Sequence, residues 1–346
     1  MIACRGYTPT RRTEGPPQPP GSGRRDPTPR SPTGTTVHPE LIKDKLIENP
    51  ITGFVGVVHD LISSLQFGFT SGKSTDDAIL EVTSFISTNL DQGNKCVGIF
   101  LDLAKAFDTV SIPSLLCKLE HIGIRGLQLQ LFREYLSNRT RCVGIGGNVS
   151  GFLEIEYGVP QGSVLSPILF LIYINDLLGL HLSQGKLICY ADDTALLFSA
   201  NTWNKVFDVA QRGFNDVCDR LRQNTLTLNP EKTQYITFTM RSSGLPFDEF
   251  NLKIHSCDNP HTQPCTCVTL RKAVSVRYLG LLIDYSLSFR EHIMLLTNRV
   301  RKLIYVFKSL RHVADFDLLR KVYLSLCQSV LTYGITAWGG AAKTTH

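Results

Sequence analysis

Residues 187–198 read LICYADDTALLF: an apolar run, two adjacent aspartates and a second apolar run. Leu187, Ile188 and Cys189 suit a buried strand, and Thr194, Ala195, Leu196, Leu197 and Phe198 suit its return, which sets Asp192 and Asp193 at a hairpin tip. Asp is a common turn residue, and a polar tip can serve as a turn and nothing more. Two carboxylates between apolar strands also repel each other and lose hydration, a cost that a divalent cation offsets.

Outward from the hairpin, a second stretch supplies a third acid. Residues 96–101 form a near-continuous apolar strand ending at Asp102, within FLDLAKAFD (100–108). A further carboxylate at the end of a buried strand is what the hairpin needs to complete a metal site. FLDLAKAFD is followed by YLSNR (135–139), GVPQGSVLSP (158–167), LFLIYINDLL (169–178), YADD (190–193), LNPEKTQYITF (228–238) and RYLG (277–280). In this order the blocks resemble reverse transcriptases, in wording those of non-long-terminal-repeat retrotransposons of the jockey and chicken-repeat-like groups. The resemblance spans about residues 60–340.

The resemblance implies an α/β right-hand polymerase. Its parts are fingers over about 60–95 and 111–151, an antiparallel-sheet palm over about 96–110 and 152–286, and a truncated helical thumb over 287–346. It implies RNA-directed DNA synthesis from a DNA primer, with template RNA and deoxynucleoside triphosphates as partners. Asp102 and Asp192 become bridging metal ligands, Asp193 the third acid, and Mg²⁺ the expected ion, because all-oxygen ligands favour it. Phe107 corresponds to the aromatic side chain that crowds the sugar 2′-position. Gln161 matches a glutamine near the incoming sugar, and Gly162 lets the template approach. Lys232 matches a lysine assigned to the departing pyrophosphate, and Lys73 would meet the triphosphate from the opposite side. Two positions depart from the pattern: Thr70 stands where arginine is frequent, and Ser111, Ile112 and Pro113 replace an Asp-His pair. An ending at His346 inside the expected thumb, without an endonuclease block or a downstream Cys-His cluster, suits a fragment of a longer element protein, and Thr70 suits a slow or inactive enzyme. It also suits a catalytically degenerate RNA-binding domain, or a structural protein derived from such an element.

Composition agrees with a globular chain carrying a tail. Hydrophobic residues make up 42% of 346, enough for a sizeable core, and a net charge of +6 suits a polyanionic partner. Residues 1–40 hold nine of the seventeen prolines and two arginine pairs, so a disordered tail is expected over 1–45. The ten cysteines are scattered with no secretory signal before them, which implies reduced thiols and an intracellular protein of nucleus or cytoplasm. The apolar run 164–174 is shorter than the about 18 residues a membrane span needs, so no membrane partner is expected.

The remaining segments read as scaffold. QFGFTSGKSTDDAI (66–79) is not a phosphate-binding P-loop, because Gly68 and Gly72 enclose three residues where that motif has four. It reads as a glycine-bearing loop followed by a helix capped by Ser74 or Thr75. Helical spacing marks 111–136 and 203–224, a hairpin is expected over 139–151, and 276–283 reads as one strand. Residues 241–273 read as an irregular insertion, with His255, Cys257, His261, Cys265 and Cys267 in a spacing that fits common zinc sites poorly. From 290 to 321, eight Lys or Arg face three acids on helical segments, a track suited to a nucleic-acid backbone.

Overall fold

The computed structural model describes residues 56, 58, 61–146, 148–240, 246, 250–255 and 267–340. The tail expected over 1–45, and Cys257, His261 and Cys265 of the His/Cys group, lie outside them. The principal elements in chain order are α1 (Thr75–Asp91), β1 (Lys95–Leu101), α2 (Ile112–His121), α3 (Gly126–Leu136), α4 (Leu165–Ile174), β2 (Gly185–Tyr190), β3 (Asp193–Ala200), α5 (Trp203–Gln223), β4 (Gln234–Phe238), β5 (Arg271–Lys272), β6 (Ser275–Tyr278), β7 (Leu281–Asp284), α6 (Arg290–Leu310) and α7 (Phe316–Tyr323).

Five strands form one sheet in the order β5-β4-β1-β3-β2. β1 lies at its centre, antiparallel to both β3 and β4. Alternation along the strands explains why they read as continuous apolar runs, since both faces are covered. Val97, Ile99, Leu196, Phe198 and Tyr235 point to one core with Phe207, Phe214 and Leu221 of α5. Cys96, Phe100, Ala195, Leu197 and Phe238 point to the other with Ile79, Val82 and Ile86 of α1. α1 begins where expected: the Ser74 hydroxyl accepts from the Asp77 N–H at 3.2 Å, and the Asp77 carboxylate accepts from the Ser74 N–H at 2.7 Å. This reciprocal cap satisfies donors that the first helical turn leaves open. The thiols of Cys96, Cys189 and Cys218 are pushed up to about 12 by burial, so they act as apolar filling.

Two sequence expectations need correction. The segment 276–283 is not one strand but the hairpin β6–β7, pairing Tyr278 with Leu281. Leu279 and Gly280 turn at φ 44° and 85°, the left-handed pair that a tight hairpin requires and that glycine eases. The insertion 241–273 is also less irregular than its polarity suggests. Arg271 and Lys272 add an edge strand parallel to β4, and Lys253–Ile254 pairs with Val268–Thr269. No described helix is long and apolar enough to cross a membrane.

The β6–β7 hairpin leads into α6 through Asp284. This buried carboxylate accepts from the N–H groups of Ser286, Ser288 and Phe289 and from both serine hydroxyls. Burial alone would raise the carboxyl, but these donors outweigh it and hold it below the usual 3.8. Asp284→Ala should therefore cost about 2–3 kcal/mol in thermal unfolding at neutral pH. The deficit should shrink as pH falls below 3.8 through the lower folded value, where the wild type loses the same contribution.

Candidate active site

The hairpin tip forms as the two apolar runs predict. Tyr190 pairs with Asp193, leaving Ala191 and Asp192 as a two-residue loop. Ala191 sits at φ 56°, where a two-residue hairpin ordinarily carries glycine and where a Cβ costs roughly 1–2 kcal/mol. On the other side β3 pairs with β1, Thr194 opposite Leu101, so continuing the register by one residue brings Asp102 beside Asp193. Each strand thus ends where its buried part ends, and the acids gather at the rim.

The charge of Asp102 reaches both acids of the hairpin tip. Desolvation raises the Asp192 carboxyl above its usual value, a backbone hydrogen bond partly counters this, and the charge of Asp102 adds to the rise. Asp193 keeps an exposed surface, yet desolvation first, then the charges of Asp192 and Asp102, push it up to about 6. Among the described residues, no three His, Cys, Asp or Glu side chains are drawn together closely enough to hold an ion as they stand. The donor set itself, three partly desolvated carboxylates, suits a hard divalent cation with room left for further oxygen ligands.

A pH consequence follows from the raised value. A carboxyl with a higher folded than unfolded pKa favours the fold at low pH and loses that contribution as pH rises through about 6. In divalent-free buffer, Asp193→Asn should therefore raise the melting temperature above pH 6 and leave it unchanged below 3.8. Thermal unfolding across pH 3.5 to 7.5 checks this, and an Asn variant less stable at pH 7 would contradict it.

The loop before β4 is fastened to the end of β1. Asn229 donates to the Asp102 carbonyl at 2.8 Å, Ala104 donates to the Thr227 carbonyl at 2.8 Å, and the Thr233 hydroxyl accepts from the Asp102 N–H at 3.2 Å. These contacts bring the Lys232 ammonium within 3.9 Å of the Asp102 carboxylate.

A cavity of about 560 Å³ is lined by Phe107, Gln161, Gly162, Ser163, Val164, Ser166 and Pro167. It forms because residues 158–159 are zipped onto the turn after β1: Gly158 donates to Val110 and Val159 to Phe107. The Phe107 ring stacks on Phe170 at 4.4 Å, so it packs against the core while lining the cavity. The Gln161 amide donates to Asp108 at 2.8 Å.

Of the eight residues singled out in the sequence, Asp192 and Asp193 lie at the hairpin tip within reach of the charge of Asp102, Lys232 lies 3.9 Å from Asp102, and Phe107, Gln161 and Gly162 share the cavity. Lys73 is turned onto its own loop. Its ammonium donates to the carbonyls of Ser64 and Gln66 and lies over the Phe67 ring, and burial lowers its pKa against the opposing charge of Asp77. The sequence did not point to Gln66, Gly68, Asp108, Thr233 or Tyr278. Tyr278 is buried on the opposite core face; its hydroxyl has no hydrogen-bond partner among the described residues, and burial, then Cys189 and Asp193, push it well above its usual value.

Comparison with known proteins gives consistent matches. A family model described as "Reverse transcriptase (RNA-dependent DNA polymerase)" matches residues 37–283. The chain is 27% identical over 314 residues to "Probable RNA-directed DNA polymerase from transposon BS" of Drosophila melanogaster, covering 88% of this chain and 33% of that protein. It is 28% identical over 325 residues to "RNA-directed DNA polymerase from mobile element jockey" of the same organism, covering 90% and 33%. The chain thus spans about a third of the length of the curated relatives it matches. Among solved structures, a Candida albicans telomerase in complex with a fragment of telomeric RNA matches with a TM-score of 0.49 at 13% identity, covering 87% of this chain and 52% of that one.

Proposed function

The chain belongs to the reverse transcriptase (RNA-dependent DNA polymerase) family, and from that premise we propose that it extends a DNA primer on an RNA template. In the proposed reaction the primer 3′-hydroxyl gives its proton to solvent as its oxygen bonds to the α-phosphorus of a deoxynucleoside triphosphate, the bond from that phosphorus to the bridging β-phosphate oxygen breaks, and pyrophosphate leaves with that oxygen. The observation that carries the reading is the placement of Asp102, Asp192 and Asp193 at one sheet rim, where the charge of Asp102 reaches both hairpin acids.

Asp102, Asp192 and Asp193 would hold divalent cations, Mg²⁺ by the chemistry of the donors. Held there, divalent cations would offset the negative charge that grows on the entering and leaving oxygens. Lys232, beside Asp102, suits a role in neutralising or protonating the departing pyrophosphate. Phe107 and Gln161, in one cavity, suit recognition of the incoming sugar, and the backbone at Gly162 suits close approach of the template. Lys73 would have to leave its backbone carbonyls to meet a triphosphate.

In this reading residues 60–95 and 111–151 are fingers, 96–110 and 152–286 palm, and 287–346 part of a thumb. The exposed basic side chains of α6, including Arg299, Arg301 and Lys302, would follow a nucleic-acid backbone. An intracellular setting fits such partners.

A second reading has one observation in its favour. The Thr70 hydroxyl donates to the Gly68 carbonyl and Lys73 is held by its own loop, so the loop presents no unengaged cation of its own, which suits RNA binding without catalysis. Primer extension on an RNA template with Mg²⁺ separates the two: extension supports the polymerase, and template binding without extension supports the degenerate domain.

A further inference from the structure

Resting on the polymerase reading, we infer that Gln66 is a positioning residue that sets the aim of the hairpin acids through the peptide of Ala191. Residues 65–67 run along the outer edge of β2. Cys189 donates to the Leu65 carbonyl at 3.0 Å, and Phe67 donates to the Cys189 carbonyl at 2.8 Å. The Gln66 side chain, fully buried, then reaches across to the tip. Its Oε1 accepts from the N–H of Gly68 and from the N–H of Ala191, each at 2.9 Å. These two donors fix the orientation of the amide, since exchanging its oxygen and nitrogen would set an NH₂ against two N–H groups.

Ala191 is the residue before Asp192 and holds a left-handed conformation at φ 56°. If that N–H loses its acceptor in a buried place, the peptide relaxes toward ordinary φ, and Asp192 and Asp193 swing with it. Gln66 acts on no substrate atom. Its effect runs through backbone geometry, and that distinguishes it from a residue that only fills space. Among the described residues its Nε2 has no hydrogen-bond partner, so the buried amide is retained at a cost that simple packing does not explain.

The test uses the whole chain in four forms: wild type, Gln66→Met, Ala191→Gly and the double variant. Methionine keeps the length and packing of glutamine but offers the two N–H groups no comparable acceptor. Gln66→Met should lower kcat for primer extension on the order of 10²-fold, with a much smaller change in KM for the nucleotide. It should also weaken Mn²⁺ binding, read from free Mn²⁺ by electron paramagnetic resonance. Ala191→Gly in that background should restore at least about tenfold of the loss, because glycine holds a left-handed conformation without strain. A double variant no better than Gln66→Met, or Gln66→Met with wild-type kcat, overturns the inference. Should Gln66→Met fail to fold, Gln66→Asn, whose amide is one methylene too short to reach Ala191, takes its place with the same expectations. If the wild type extends nothing, the polymerase reading fails while the Mn²⁺ titration still judges this one. Binding weakened by Gln66→Met and restored by Ala191→Gly supports it, and binding unchanged by Gln66→Met overturns it.

Discussion

Asp192→Asn is expected to lower Mg²⁺-dependent primer extension on an RNA template on the order of 10³-fold, the largest effect of any single substitution. Asparagine keeps the size and hydrogen-bonding reach of the side chain and removes one charge from the cluster. Asp192 carries a carboxyl already raised by desolvation and by Asp102, so the substitution relieves repulsion in the fold. The variant should melt no lower than the wild type in divalent-free buffer at neutral pH. Loss of extension with stability kept isolates charge as the cause. Extension unchanged by Asp192→Asn would remove this residue from the site.

Gly68→Ala should produce the second largest effect. A Cβ there would stand 2.3 Å from the Ala191 nitrogen and 2.9 Å from the Tyr190 carbonyl carbon. Both neighbours are backbone of the hairpin, so no flexible side chain can yield, and the tip or the 66–68 segment must move. Displacing the acids by even about an ångström costs on the order of 10²-fold in rate, and the overpacking should cost about 1–3 kcal/mol in unfolding. Gly151→Ala is the control, since a Cβ there meets nothing within 4 Å. Steady-state extension and thermal melts of the two variants compare them directly.

The sheet was legible because its strands are apolar on both faces. Val97, Ile99 and Leu101 serve one core while Cys96 and Phe100 serve the other, and the run stops at the first carboxylate, Asp102. The YADD tip was legible for the same reason, as polar residues between two such runs. The family resemblance, more than any physical pattern, brought Lys232, Phe107, Gln161 and Gly162 into view. What stayed hidden depends on contacts between segments distant in sequence. Gln66 to Ala191 and Thr233 to Asp102 join residues more than a hundred positions apart, and neither Gln66 nor Thr233 carries a local signature. The β6–β7 turn was missed because Leu279 and Gly280 interrupt a run whose apolar content otherwise continues. The Lys73 side chain illustrates the converse: a lysine in a glycine-bearing loop suggests phosphate contact, whereas local carbonyls capture it here.

The most direct measurement is a crystal structure of the chain grown with Mn²⁺, using the ion's anomalous scattering to locate it. An anomalous peak is expected at the sheet rim, in contact with carboxylate oxygens of both Asp102 and Asp192 and absent from crystals of Asp192→Asn. Mn²⁺ bound elsewhere with those side chains uninvolved, in a protein that extends primers, would contradict it.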